Sequence, residues 1–392
     1  MFYRRKILNL LDKELETREA MVLTGMRQSG KTTILHYLFD QIKSKNKIFL
    51  DLEDPLNQKL FDTDNFNGIW AGLSLLGLNK NERAYIFLDE IQNLSIIPRV
   101  AKYFIDHFQT KFFFSGSSSY YLRNLFSESM SGRKLIFELF PLTFSEFLIF
   151  KNQKREEIEG WKNKEKNKDE VFYKILLPQF KEYVNFGGLP AVVLETDPER
   201  KKQLMRGVFT SYFEKDVKNI GDFGDVSKLR DLILLLAERV SGQIDITTLS
   251  RELGTARETI YNYLSFLEKT YFITLVDRFS KNLRIQAAGN QKLYFGDTGL
   301  ANILGQLSSG QLLEQAIFQT LRPNFRVDYY RKDNVEIDFV LDKETALEIK
   351  ETGTPRDVYY TGKIAKGLKL KNSYVISQNY STEKGIILAT SL

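Results

Sequence analysis

The clearest chemistry in this chain lies in nine consecutive residues: Gly25, Met26, Arg27, Gln28, Ser29, Gly30, Lys31, Thr32 and Thr33. From Gly25 to Thr32 they fit G-x-x-x-x-G-K-[ST] without a mismatch. Gly25 and Gly30 let backbone N–H groups wrap an anionic group, and a following helix adds the positive end of its dipole. Lys31 is then placed to reach the β- and γ-phosphates of a nucleotide, and Thr32 to ligate Mg²⁺ through its hydroxyl. Roughly sixty residues further on, the apolar run from Ala84 to Leu88 ends in Asp89 and Glu90. Asp89 would sit beside Mg²⁺ at the end of a strand, while Glu90 would orient and deprotonate an attacking water. The two signals together point to hydrolysis rather than passive binding.

Lys111–Ser115 is another apolar run, and it opens the small polar stretch Ser115–Ser119. Ser115 is expected to sense the γ-phosphate or the water, unless the stretch is only a polar turn at a strand end. Arg133, in Ser131-Gly-Arg133, is a candidate for the cation that neutralises transition-state charge, supplied by a neighbouring subunit. Arg123 competes for that role, and surface pairing is open to both.

These residues need a sheet to hold them. Ala20–Thr24, Lys47–Leu52, Ala84–Leu88, Lys111–Ser115 and Lys134–Phe140 are short apolar runs separated by helix-length sequence. That pattern predicts a parallel α/β sheet covered on both faces. Composition agrees with a globular chain of two or three domains: 392 residues, 43% hydrophobic and 27% charged. Cysteine is absent and there are two histidines, His36 and His107, which excludes disulfides, thiol nucleophiles and Cys-ligated zinc. The net charge of +6 permits a nucleic-acid partner without demanding one. The dense charges of residues 4–18 do not read as a signal peptide, and no run reaches the roughly 18 apolar residues of a membrane helix, so a cytoplasmic location is expected.

Residues 151–170 hold seven basic and six acidic residues, the composition of a solvated helix or insertion. Helical patterns follow at Lys201–Val217 and Ser227–Val240. Asp245–Gly254 then reads as a short helix closed by glycine, and Thr255–Leu267 as a second helix whose Ile260, Leu264 and Leu267 face a core. Tyr271–Asp277 should pair with Leu293–Phe295 as a wing. For DNA, the groove-facing candidates are Arg257, Thr259, Tyr261 and Asn262, with Arg278, Lys281 and Arg284 on phosphates. The net charge from 244 to 295 is only +2, and such modules also serve as protein contacts or spacers.

Together, LTGMRQSGKTT (Leu23–Thr33), LDEIQ (Leu88–Gln92), SGSSS (Ser115–Ser119), SGR (Ser131–Arg133), FPLTFSEF (Phe140–Phe147) and GGLP (Gly187–Pro190) resemble an AAA-type ATPase family of prokaryotes with a nuclease-like C-terminus. Relatives often carry Thr where this chain has Ser115, and the hydroxyl is kept. The resemblance implies a multidomain α/β chain: an AAA-type P-loop domain with a parallel sheet over 1–150 and a helical lid or linker over 151–225. A winged helix-turn-helix would follow over 226–300, then a restriction-endonuclease-like α/β domain over 301–392. ATP and Mg²⁺ are the implied cofactors, with DNA and a homo-oligomer as implied partners and no membrane.

The last eighty or so residues resemble the PD-(D/E)xK nuclease fold through Glu314 in the helix Leu312–Leu321, Asp338 in VEIDFVL, and Glu348 with Lys350 in ALEIK. Strand alternation puts Glu348 and Lys350 on one face, with Ile349 on the other. Glu314, Asp338 and Glu348 would then hold Mg²⁺, and Lys350 would position or activate a water attacking a phosphodiester. Glu336 shares a strand face with Asp338 and is a reserve ligand or simply solvent-exposed. The alternative is that these acids only solubilise edge strands and the domain is an inactive relative in a nucleotide-dependent DNA- or protein-binding switch.

Overall fold

The computed structural model describes residues 2–117, 130–153, 158–217, 226–281 and 289–392. Contacts divide the chain into two compact units, Met1–Phe140 with Lys269–Tyr271, and Pro141–Glu268 with Phe272–Leu392.

The first unit is built on five parallel strands: β1 (Ala20–Gly25), β2 (Lys47–Asp51), β3 (Ala84–Asp89), β4 (Thr110–Gly116) and β5 (Lys134–Leu139), in the order β2-β3-β4-β1-β5. All five expected strands are present, with ends moved by a residue or so. The central strands β1, β3 and β4 are buried at every position because alternate side chains enter two different cores. Val22, Ile86, Leu88, Phe112 and Phe114 pack with Trp70 and Phe104 on one face. Met21, Leu23, Phe87 and Phe113 pack with Leu35 and Leu38 of the helix Lys31–Gln41 on the other. Phe87 and Phe113 stack across β3 and β4 with ring centroids 4.1 Å apart. The charged N-terminal stretch forms only the short helix Leu8–Leu11 and a 3₁₀ turn at Asp12–Glu14.

In the second unit the segments expected as three domains are packed together. The helix Glu170–Phe186 lies against the helices Thr298–Leu304 and Ser309–Leu321, and the Tyr183 hydroxyl lies 3.3 Å from that of Thr320. The contacts change unit at Phe140–Pro141, ten residues before the expected boundary at 150. Of the charged run 151–170, the helix Trp161–Lys166 is described and residues 154–157 lie outside the described residues. The helices Ile246–Glu252 and Arg257–Lys269 precede β6 (Ile273–Val276), which pairs antiparallel with β7 (Lys292–Phe295). A mixed sheet follows, ordered β12-β11-β10-β9-β8 from β8 (Val327–Lys332), β9 (Val335–Leu341), β10 (Thr345–Lys350), β11 (Asn372–Ser377) and β12 (Ile386–Leu388). β8, β9 and β10 are antiparallel neighbours, whereas β10, β11 and β12 run parallel, with the helix Pro355–Gly367 crossing between β10 and β11.

The GGLP turn has a specific reason for its glycines. Asp297 is fully buried and caps the helix Thr298–Leu304, accepting from the N–H groups of Gly299 (2.9 Å) and Leu300 (3.3 Å). It also accepts from Gly188 N–H (2.7 Å) and from the Gln319 amide (3.3 Å). A Cβ on Gly187, whose φ is +76°, would run into this carboxylate, and one on Gly188 would strike the Leu142 carbonyl. Burial pushes the Asp297 carboxyl up to about 6 against four donors that pull it down. Replacing Asp297 with Ala leaves two or more buried N–H groups without acceptors, so we expect a loss of about 3 kcal/mol in urea unfolding of the full chain. A variant as stable as wild type would contradict this account.

Candidate functional site

The phosphate loop joins β1 to the helix Lys31–Gln41 at the C-terminal edge of the parallel sheet, where ligands bind in folds of this kind. Gly25, at φ +151°, lies against Leu139 of β5, and a Cβ there would overlap the Leu139 carbonyl. Gln28 takes the left-handed φ of +62°, and Gly30, at φ +100°, caps the helix without a side-chain bond. The first helical N–H groups therefore face the loop without a capping side chain. Met26 and Ser29 are buried; Arg27 and Gly30 are half-buried, and Gln28, Thr32 and Thr33 are exposed. The Lys31 ammonium folds back onto the loop's own carbonyls, 2.9 Å from Gly25 O and 3.0 Å from Met26 O.

The strand order then builds the rest of the site. Because β4 lies between β1 and β3, Ser115 at the end of β4 falls between the loop and Asp89 at the end of β3. The Thr32 hydroxyl donates to Asp89 Oδ2 at 2.7 Å, and the Ser115 hydroxyl donates to Asp89 Oδ1. Ser115 also accepts from Glu90 N–H at 3.2 Å. Thr32 and Asp89 thus present adjacent oxygens at a helix N-terminus, a donor set that fits Mg²⁺. Glu90 is half-buried at φ +54°, a left-handed conformation that turns its carboxylate out of the strand direction.

Two contributors escaped the sequence reading. The Gln92 amide donates to Glu90 Oε2 and lies 3.3 Å from Ser117 Oγ, so it fixes the direction of the Glu90 carboxylate. Gln92 stands in the LDEIQ run, and its spacing from Glu90 was the available signal. The buried Arg5 guanidinium donates to Ser29 O (3.1 Å) and Phe140 O (2.7 Å), tying the loop to the chain beyond β5. Nothing in a charged N-terminal stretch singles it out.

Arg133 precedes β5 at the opposite end of the sheet, where its carbonyl accepts from Ala20 N–H and its Nε lies 2.9 Å from Asp106. A strand of this length separates it from the loop by roughly 16 Å, so it does not serve the phosphate site of its own chain. Arg123, Ser118 and Ser119 lie outside the described residues.

Residues 17–148 match a family model described as an AAA domain. They form an AAA-type P-loop domain. Residues 177–311 match a second model, described as a domain of unknown function. An uncharacterized protein of Methanocaldococcus jannaschii is 28% identical over 402 residues, covering 97% of this chain and 86% of that protein. An uncharacterized protein of Haemophilus influenzae is 26% identical over 372 residues, covering 90% of this chain and 88% of that one. Among solved structures, the ORC2 protein of Aeropyrum pernix in its ADPNP-ADP complexes aligns at a TM-score of 0.33 and 12% identity, over 82% of this chain and 95% of that chain. The assignment of the AAA-type domain rests on the family match and on its own site. Among the described residues, no helix is long and apolar enough to cross a membrane.

In the second unit, Arg257, Tyr261 and Asn262 are exposed on the helix Arg257–Lys269, Thr259 is half-buried, and Ile260, Leu264 and Leu267 enter the core as expected. Lys281 is exposed. Arg278 is half-buried beside a backbone bridge to Tyr329, which limits its reach to a phosphate, and Arg284 lies outside the described residues. A groove of about 880 Å³ beside Tyr261 and Leu264 is lined by Glu268 and Asp277 as well as Arg326 and Lys343, so it offers no purely cationic track.

The C-terminal sheet brings the expected acids together. Glu348 and Lys350 share a face of β10, 2.7 Å apart, and Asp338 on the adjacent β9 accepts from Ile349 N–H at 2.8 Å. Glu314, on the helix Ser309–Leu321, joins them. Burial and the nearby Asp338 charge push Glu314 up to about 8 and Glu348 up to about 7, and burial also raises Asp338. Among the described residues, however, no group of three or more acids or histidines is arranged to hold a metal ion. The ammonium of Lys292, on β7, lies among these acids instead, and Tyr294 on the same strand donates to Glu314 at 2.5 Å. Burial pulls the Lys292 ammonium down, but Glu314, Asp338 and Glu336 outweigh it and hold its pKa raised. Sequence reasoning missed Lys292 and Tyr294.

Ser115 links Asp89 to Glu90, so Ser115→Ala should slow nucleotide hydrolysis at least tenfold while Ser115→Thr keeps most of the rate. A phosphate-release assay at saturating ATP checks this, and full turnover by the alanine variant would remove Ser115 from the machinery.

Proposed function

We propose that this chain is an ATP-hydrolysing protein whose AAA-type domain drives a DNA-associated task carried by the second unit. The observation that carries the reading is Asp89 held between Thr32 and Ser115 at the mouth of the phosphate loop. On this reading the loop N–H groups and Lys31 bind the β- and γ-phosphates, with Lys31 leaving the Gly25 and Met26 carbonyls for the stronger anionic partner. Thr32 and Asp89 would hold Mg²⁺, which when bound draws charge from the phosphate oxygens as the terminal bond breaks. Glu90, aimed by Gln92, takes a proton from the attacking water, and Ser115 holds Glu90 and Asp89 in register. Arg133 would act only on the site of a second copy, so the reading includes a homo-oligomer in which its bond to Asp106 is exchanged for a phosphate.

DNA association would run through the exposed Arg257, Tyr261, Asn262 and Lys281 of a winged helix-turn-helix, an arrangement supported by the β6–β7 pair behind the second helix. For the C-terminal sheet, the helix-then-strands order and the convergence of Glu314, Asp338, Glu348 and Lys350 support a restriction-endonuclease-like fold. The metal set would be Glu314, Asp338 and Glu348, and cleavage would need them around Mg²⁺. The position of Lys292 among them favours the second reading, a nuclease-like domain that binds without cutting.

Purified wild type should release phosphate from MgATP. Glu90→Gln should still bind ATP but hydrolyse it at least 10²-fold more slowly, and Lys31→Ala should lose both binding and turnover. Undiminished hydrolysis by Glu90→Gln overturns the mechanism. On supercoiled DNA with Mg²⁺ or Mn²⁺, wild type should leave no nicks beyond those of Asp338→Ala and Lys350→Ala. Nicking by wild type that both substitutions abolish would restore the active nuclease.

A further inference from the structure

Lys292 is 2% exposed, and a lysine so buried must be paired. Its ammonium lies 2.6 Å from Glu336 Oε1, 3.1 Å from Glu314 Oε1 and 3.7 Å from Asp338 Oδ1. The three acids come from a helix and from β9, and the lysine from β7, where it is paired with Val276 of β6. Alternation along β7 puts Lys292 and Tyr294 on one face, so both donors reach the same Glu314 oxygen.

We propose that Lys292 is the resident cation of this cluster, a built-in ammonium that takes the place a divalent metal would fill between Glu314 and Asp338. A hard metal would need these same oxygens at about 2.0–2.6 Å, within a volume the ammonium already occupies. The other lone pairs are largely engaged: Asp338 Oδ2 by Ile349 N–H, Glu348 Oε1 by Lys350, and Glu336 Oε2 by Arg331 at 3.3 Å. Glu348 Oε2 is buried without a hydrogen bond, and a single carboxylate oxygen does not make a metal site. Removing the ammonium leaves Glu314 and Asp338 facing each other with no cation between them. A divalent ion then becomes their best partner. The inference deepens the non-cutting reading and rests on it only for the expectation that metal would otherwise be drawn to these acids.

Mn²⁺ titration followed by electron paramagnetic resonance, on the nucleotide-free full chain, tests it. Mn²⁺ held weakly at the phosphate loop is common to every variant and cancels in the comparison. Wild type and Asp338→Asn should give superimposable curves. Lys292→Gln should bind one further Mn²⁺ per chain at least tenfold more tightly, and the double variant Lys292→Gln, Asp338→Asn should lose it. Wild-type binding of a Mn²⁺ that Asp338→Asn removes overturns the proposal, as does a folded Lys292→Gln with no added site. Circular dichroism establishes folding. If Lys292→Gln does not fold, wild type against Asp338→Asn still decides occupancy, and Lys292→Arg should fold and give the wild-type Mn²⁺ curve. The nicking assay reports separately on the non-cutting reading, because an absence of nicks leaves the cation's identity to the Mn²⁺ curves.

Discussion

Inserting β4 between β1 and β3 brings a hydroxyl to each side of the Asp89 carboxylate, Ser115 from β4 and Thr32 from the helix after the loop. A carboxylate that is 3% exposed would cost several kcal/mol if it were left without donors. The two hydroxyls offset that cost. They fix the Asp89 carboxylate in direction at the mouth of the loop, so no rearrangement of the sheet is needed before a cation can meet it. The rest of the first unit follows from this arrangement. The buried strands β1, β3 and β4 surround the carboxylate's base, Gly25 lets β1 lie against Leu139, and Arg5 holds the loop's Ser29 carbonyl in place.

Asp297 in the second unit makes the contrast useful. It too stands at a helix N-terminus, but it accepts from four donors belonging to the GGLP turn, its own helix and Gln319. Every direction of approach is taken, and the residue is fully buried. Saturation makes Asp297 a structural hub, whereas Asp89 keeps room for a ligand because its side-chain donors are two hydroxyls, one on each oxygen, at the edge of the sheet. Carboxylate burial alone does not separate the two roles; the number and origin of the donors do.

Much of the first unit was legible in the sequence because its signals are local. Gly25 to Thr32 are contiguous, Asp89 and Glu90 end their own strand, and strands buried on both faces leave uninterrupted apolar runs. The second unit was legible in pieces. The acids at Glu314, Asp338 and Glu348 were singled out by the resemblance to the PD-(D/E)xK fold, and the β6–β7 pairing by its apolar runs. Their joining into one unit was not, since it depends on contacts such as Tyr183 with Thr320, 137 residues apart. Beyond Lys350 the helix Pro355–Gly367 and strands β11 and β12 went unnamed, although Thr354 and Asp357 form a capping box there. Arg5 and Lys292 were hidden for a common reason. Each is a single basic residue whose meaning comes from partners far along the chain, 24 and 135 residues for Arg5.

The two buried lysines at the two sites show how the same side chain can be poised or locked. Lys31 rests on two neutral carbonyls, so moving its ammonium onto a phosphate exchanges these dipolar partners for a charged one. Lys292 rests on carboxylates in a region closed by Tyr294 and Tyr329, whose ring centroid is 5.5 Å from the ammonium. Withdrawing it would leave Glu314 and Asp338 buried without the cation they share, a larger cost than the loss of a neutral hydrogen bond. A ligand at the phosphate loop therefore competes with weak internal partners and wins by its charge. A metal at the C-terminal cluster competes with a cation that is covalently part of the chain and pays no entropy of association to be there. That difference in what each lysine must give up is why the first site is open to its ligand and the second is closed.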